Sequence, residues 1–192
     1  MLVTLPRRAP ARAAAEAVVE LAPWIERRLA DVASARAQVA ARGDAIPYLG
    51  ATLRLVPEPG RTRVHRRGDH LLVPSGDSGA VQRWLRRAAR DEITPRAHRA
   101  AAALGAEVAR VTIRDQRTRW GSCSAGGSLS FSWRLVLAPE DVLDYVVWHE
   151  ACHLRAMDHS SRFWALVAEH CPGYEAPRRW LREHAATLRL AA

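Results

Sequence analysis

The chain is poor in several of the features that would set it apart from ordinary globular proteins. No apolar run approaches the roughly 20 residues of a membrane-spanning helix, which excludes a helical span. Cysteine is scarce: Cys123, Cys152 and Cys171 are the three in 192 residues, and none forms a CxxC pair. An odd number without paired spacing argues against a disulfide framework and for a reducing, cytoplasmic setting. A secretory signal is not evident either, because in Met1–Arg8 the charge follows a very short apolar stretch rather than preceding a long one. There is no internal repeat and no low-complexity tail. Lysine is absent, so arginine carries the formal charge of +9 and the isoelectric point near 10.9. That balance suits polyanionic partners or anionic substrates. Arginine and alanine are abundant throughout, however, and a merely solvated basic surface would give the same figures.

What is present suffices for one compact domain, or one domain with a helical extension, with 48% hydrophobic residues to build a core. Residues 2–5 read as a short strand. Arg8 to about Leu21 has a helical pattern, and Pro23, acceptable only in a first turn, starts a second helix that Gly43-Asp44 stops. Tyr48 to Val56, Thr62 to His65 and His70 to Pro74 read as three strands separated by Pro- and Gly-rich turns. A helix follows from Ala80 to about Leu104, with Pro95 expected to kink or divide it. Val108 to Arg114 alternates as a strand, and Leu129 to Leu137 reads as another ending at Pro139. Glu140 and Asp141 open a helix with acids in its first turn. Further helices are expected after Ser160 or Ser161 and from Ala176 to about Leu190. The expected class is α+β. The boundary is placed between an N-terminal helical and β-rich part, residues 1–79, and a C-terminal domain, residues 80–192.

The helix that begins at Glu140 carries His149-Glu150-Ala151-Cys152-His153 after a run of valines. Four-residue spacing places both imidazoles on one helical face, one turn apart, where they can reach a single Zn²⁺. Glu150 then lies beside the metal, where it can take a proton from the bound water. A catalytic zinc usually has three protein ligands. His159, six residues beyond His153, is one candidate for the third, with the spacing of HExxHxxGxxH although Ala156 replaces its glycine. Glu169 and Glu175 are rival candidates. Arg114, Arg117, Arg119 and Arg134 could bind a substrate carboxylate or phosphate, or pair with Asp115, Asp141 or Asp144. Cys123 and Cys152 read as small buried hydrophobes, the seven tryptophans mostly as core anchors. His65, His70, His98, His170 and His184 are scattered and fall outside the site.

These residues carry a resemblance. Thr118-Arg119-Trp120-Gly121-Ser122-Cys123-Ser124, Trp133-Arg134-Leu135, Asp144 to Leu154 with its HExxH, Asp158-His159-Ser160 and Phe163-Trp164 look like the YgjP-like metal-dependent hydrolases. That family is a minimal zincin group related to SprT-like peptidases. The match runs from about Val108 to Leu181, with further similarity at Ala22–Leu29 and Pro47–Gly50. It implies a zincin-like catalytic domain, a small antiparallel sheet plus the HExxH helix, preceded by a helical and β-hairpin part. It also implies His149, His153 and His159 as zinc ligands, Glu150 as catalytic base, and a cleft wall in the 114–124 segment or the Leu129–Leu135 strand. Family members usually begin with an additional basic β-hairpin, so the N-terminal sheet is expected to be short here. Three functions are compatible: a metallopeptidase acting on peptides, a nucleoside triphosphate pyrophosphatase acting on small anions, and an SprT-like nucleic-acid-associated protein.

Overall fold

The computed structural model describes Pro10, residues 12–116 and residues 118–190; the strand expected at residues 2–5 lies outside them. The chain opens with helices α1 (Arg12–Glu20) and α2 (Ala22–Ala40), the second with Pro23 in its first turn. Strands β1 (Ala45–Tyr48), β2 (Ala51–Glu58), β3 (His65–Arg67) and β4 (His70–Pro74) form a sheet of order β1-β2-β4-β3. Helix α3 (Ala80–Ala103) contains Pro95 without being divided by it. Strands β5 (Arg110–Arg114), β6 (Gly121–Cys123) and β7 (Ser128–Ser132) form a second sheet of order β5-β7-β6. The remaining helices are α4 (Glu140–Cys152), α5 (Ser161–His170) and α6 (Glu175–His184). Among the described residues no helix is long and apolar enough to cross a membrane.

The α+β class stands, with several local corrections. The strand expected over Tyr48–Val56 is instead a hairpin, because Leu49 (φ 48°) and Gly50 (φ 83°) both take left-handed backbone. This is the two-residue loop whose twist matches paired strands. Leucine rarely adopts that conformation, and here the Leu49 N–H donates to Val136 O at 2.9 Å, which helps to hold it. The strand expected at Thr62–His65 starts only at His65. The second sheet is mixed rather than antiparallel: β6 and β7 make an antiparallel hairpin, but β5 runs parallel to β7. β5 and β6 therefore lie on opposite sides of β7. The strand expected to reach Leu137 stops at Ser132, whose hydroxyl accepts from Arg134 N and opens a 3₁₀ turn over Trp133–Leu137. The last helix stops at His184, and a 3₁₀ turn over Ala185–Thr187 follows.

One apolar cluster joins the two sheets and the helices between them. Leu53 and Leu71 of the first sheet, Leu85 and Ile93 of α3, Phe131 and Trp133, and Leu143 of α4 are each 0–1% exposed. Each such side chain stabilises the fold by roughly 1.5–3 kcal/mol. The helix bearing HExxH is fixed along its first half. Its Val142, Leu143, Val146 and Val147 are buried in this core. At its start Arg96 of α3 meets Glu140 at 2.7 Å, Asp144 at 3.0 Å and Glu92 at 2.9 Å. Asp144 is thereby engaged by Arg96 rather than by Arg114, Arg119 or Arg134. Not all tryptophans anchor the core: Trp24 is 56% exposed, whereas Trp133 is 1% exposed.

Candidate metal centre

Burial of the valine face of α4 dictates where its polar residues go. With Val142, Val146 and Val147 turned into the core, His149 and His153 come out together on one face, one turn apart. His153 caps the helix. Leu154, Arg155 and Ala156 then tighten into a turn, their N–H groups donating to Ala151 O and Cys152 O at 2.9–3.0 Å. Ala156 stands where the longer zincin pattern has glycine, and the turn needs none there: Leu49 is the only non-glycine with positive φ among the described residues. Asp158 accepts from Ser160 N at 3.2 Å, which shapes the loop that returns His159.

That loop brings the Nε2 of His159 to 3.1 Å from the Nε2 of His149. Ligand atoms of His149, His153 and His159 all lie within 4.8 Å of one another, and no other His, Cys, Asp or Glu among the described residues joins them. Glu169 and Glu175 are therefore not in the cluster. Glu169 borders a separate cavity with Arg155 and Arg162, and Glu175 begins α6. Phe163, fully buried on α5, lies beneath all three imidazoles, its ring 4.9, 4.4 and 4.8 Å from those of His149, His153 and His159.

The donor set fits a metal ion. His153 Nδ1 is 3.0 Å from Ala156 O, so it carries the proton and leaves Nε2 with its lone pair free. His149 Nδ1 is buried with no hydrogen-bond partner. Burial, with the neighbouring His153, His159 and Arg178, pushes the His149 pKa down to about 3, so the ring is neutral. The Nε2 atoms of His149 and His159, facing each other at 3.1 Å, are placed to share a cation between them. Three imidazole nitrogens this close together, with His159 exposed to solvent, could hold a metal ion.

Glu150 points from α4 towards β6 and is 7% exposed. Burial pushes its pKa up to about 7, opposed by the guanidinium of Arg119. The close approach depends on Gly121, where a Cβ would stand 2.5 Å from Glu150 Cγ and 2.7 Å from Oε1.

The sequence matches the YgjP-like metallopeptidase domain over residues 1–184. The chain belongs to the YgjP-like metallopeptidase family. Among curated proteins none matches it. Among solved structures it is similar to the metallopeptidase zymogen of Pyrococcus abyssi abylysin, at 24% identity over 47% of this chain and 93% of that one, with a TM-score of 0.42.

In this YgjP-like domain the described arginines of interest have different surroundings. Arg114 is exposed at the end of β5, and Arg117 lies outside the described residues. Arg119 is exposed and near enough to Glu150 to bias its charge. Arg134 pairs with Asp115 and stacks over the Trp133 ring at 4.7 Å, while Arg86 meets the same carboxylate at 3.2 Å. Burial works to raise the Asp115 pKa, but Arg134 and then Arg86 outweigh it and hold it low.

Burial and the charge of Glu150 push the Cys123 thiol up to about 11, and Cys152 is raised to a similar value mainly by burial. Both stay as thiols, which suits packing and not nucleophilic attack. Gly121 and Phe163 were legible in sequence as motif and apolar positions, but nothing local marked them as neighbours of Glu150 and of the imidazoles. The scattered histidines serve elsewhere; His170, for example, stacks on Trp148 at 4.9 Å.

Proposed function

We propose that this domain is a zinc-dependent peptidase in which His149, His153 and His159 hold the ion and Glu150 moves the proton. The observation that carries this reading is the convergence of three imidazoles, from α4, its C-cap and the loop that follows, together with the buried carboxyl group of Glu150 on α4. Zinc, when bound, supplies Lewis acidity towards a carbonyl oxygen and a water molecule. Glu150 takes the proton from the attacking water and then delivers it to the departing amine. A pKa near neutrality lets the same carboxyl group do both, and the nearby Arg119 favours its charged form at the start of the cycle. Phe163 holds the three rings in place from below, and the sheet edge at β6 lies alongside Glu150. Three free thiols fit a reducing, cytoplasmic setting.

The test is hydrolysis of peptides by the zinc-loaded protein with two variants as controls. Glu150→Gln is expected to retain zinc and to lose activity by about 10²–10⁴-fold. His149→Ala is expected to lose the metal itself. Full activity in Glu150→Gln would remove Glu150 from its role. Chelator-sensitive release of pyrophosphate from nucleoside triphosphates without peptide cleavage would replace the peptidase by a nucleotide hydrolase. Tight DNA binding with a steep salt dependence would favour the nucleic-acid-associated alternative.

A further inference from the structure

Beside the 118–120 segment that leads into Gly121, a cavity of about 630 Å³ opens between α2, Gln116, Thr118–Trp120 and the C-terminal turn. Its size falls among small-molecule sites, about 300–1,000 Å³. Arg28, Arg119, Arg134 and Arg189 line it. Arg134 is neutralised by Asp115, itself shared with Arg86, and Arg28 lies 3.6 Å from the exposed Asp31. Among the described residues Arg119 and Arg189 have no ion-pair partner, so the cavity keeps an excess of positive charge. The rest of its wall is mixed: Val32, Trp120, Leu188 and Leu190 give it an apolar side, while Gln82 and Thr118 are polar. One more wall residue, Gln116, has a buried Oε1 without a partner, a cost that an N–H donor from an occupant would relieve.

The wall is a built one. The Arg42 guanidinium donates to Thr187 O at 2.9 Å and Arg189 O at 3.1 Å, which ties the C-terminal turn to the end of α2. Arg134 is clamped between Asp115 and the Trp133 ring. The cavity also adjoins the reaction centre: Arg119 and Trp120 line it, and the next residue, Gly121, touches Glu150.

An occupant must bring a negative group, an apolar part and an N–H donor. The last residue of a peptide has all three, whereas a phosphate group offers nothing to the apolar wall. We propose that this cavity receives the C-terminal carboxylate of a peptide substrate, with its terminal side chain against Trp120 and Leu190, so that cleavage falls near the C-terminal end. This rests on the peptidase reading for the cleavage step but not for the binding step.

The experiment pairs one peptide, N-acetyl-Phe-Leu as the free acid, with its C-terminal amide. Binding is titrated on the metal-free protein at constant ionic strength, where a carboxylate cannot bind zinc, and is read by the change in tryptophan fluorescence, Trp120 and Trp133 lying in the wall. Cleavage is measured with the zinc-loaded protein on longer peptides ending in the same residues. The acid is expected to bind, and its longer counterpart to be cleaved, at least about tenfold better than the amide, as loss of a charged hydrogen bond implies. The double variant Arg28→Gln/Arg189→Gln should abolish that difference, and Arg63→Gln, at an exposed position outside the cavity, should preserve it. Equal binding and equal cleavage of acid and amide would overturn the carboxylate site and leave the peptidase standing. Acid-selective binding, sensitive to the double variant but without cleavage of either peptide, would uphold the cavity and sink the peptidase. Inorganic phosphate binding more tightly than the acid, with the same arginine dependence, would overturn the proposal in favour of a phosphate-bearing ligand.

Discussion

Two aromatic residues, Trp24 near the start of α2 and Phe163 on α5, follow the same kind of helical apolar pattern and have opposite fates. Phe163 is 0% exposed and touches three imidazoles; Trp24 is 56% exposed. Their helices differ in the same way. No residue of α1 is buried and only Ala35 and Val39 of α2 are, whereas α4 buries eight of its thirteen residues. Amphipathic spacing therefore says that a helix can pack, and not what it packs against.

The contrast can be broken by substitution. Phe163→Ala is expected to cost about 3–5 kcal/mol, as for large aromatic truncations in a core, and to weaken zinc binding because the rings lose their support. Urea unfolding with and without zinc measures both, and a cost below about 1 kcal/mol would mean that α5 is not the floor of the site.

A second test uses the buried charge of α4. In the metal-free native state Glu150 keeps its proton up to about pH 7, while in the unfolded chain it loses it near 4.5. The native state thus binds more protons between these values, and stability falls as pH rises through that window. Relative to Glu150→Gln the wild type should lose up to about 3 kcal/mol from pH 4.5 to 7. The opposite drift from His149 cancels in this difference, because both proteins carry it. A flat difference would mean that Glu150 is solvated.

Next in size is Gly121→Ala. Its methyl group would meet Glu150, so a loss of about 1–3 kcal/mol is expected from overpacking. Adding Glu150→Ala should recover most of it; a purely additive double variant would sink the assigned contact. The smallest effect belongs to the exposed end of the comparison: Trp24→Ala or Leu29→Ala should change stability by no more than about 0.5 kcal/mol. A larger loss would show that α2 is covered by something.

Much of the candidate site was legible residue by residue. His149 and His153 were readable because helical spacing is local, and His159 because the chain has only six residues in which to return. The arginines were less so: Arg134 could not be assigned to Asp115 without knowing that β5 and β7 run side by side. The hairpin at Leu49-Gly50 was hidden because leucine rarely takes a left-handed backbone, and the bond from Leu49 N to Val136 O comes from 87 residues away. The parallel pairing of β5 was hidden for a related reason, since strand alternation carries no direction.

The sequence by itself determined the histidine spacing, the punctuation of helices by proline and glycine, and the acid-started helix that presents HExxH, all set by neighbours within a turn or two. Only the tertiary structure decided that Glu150 is dry, that Phe163 supports the three imidazoles, and that four arginines from distant segments face one cavity. Those features depend on which surfaces meet, and that is settled by packing between elements far apart in the chain.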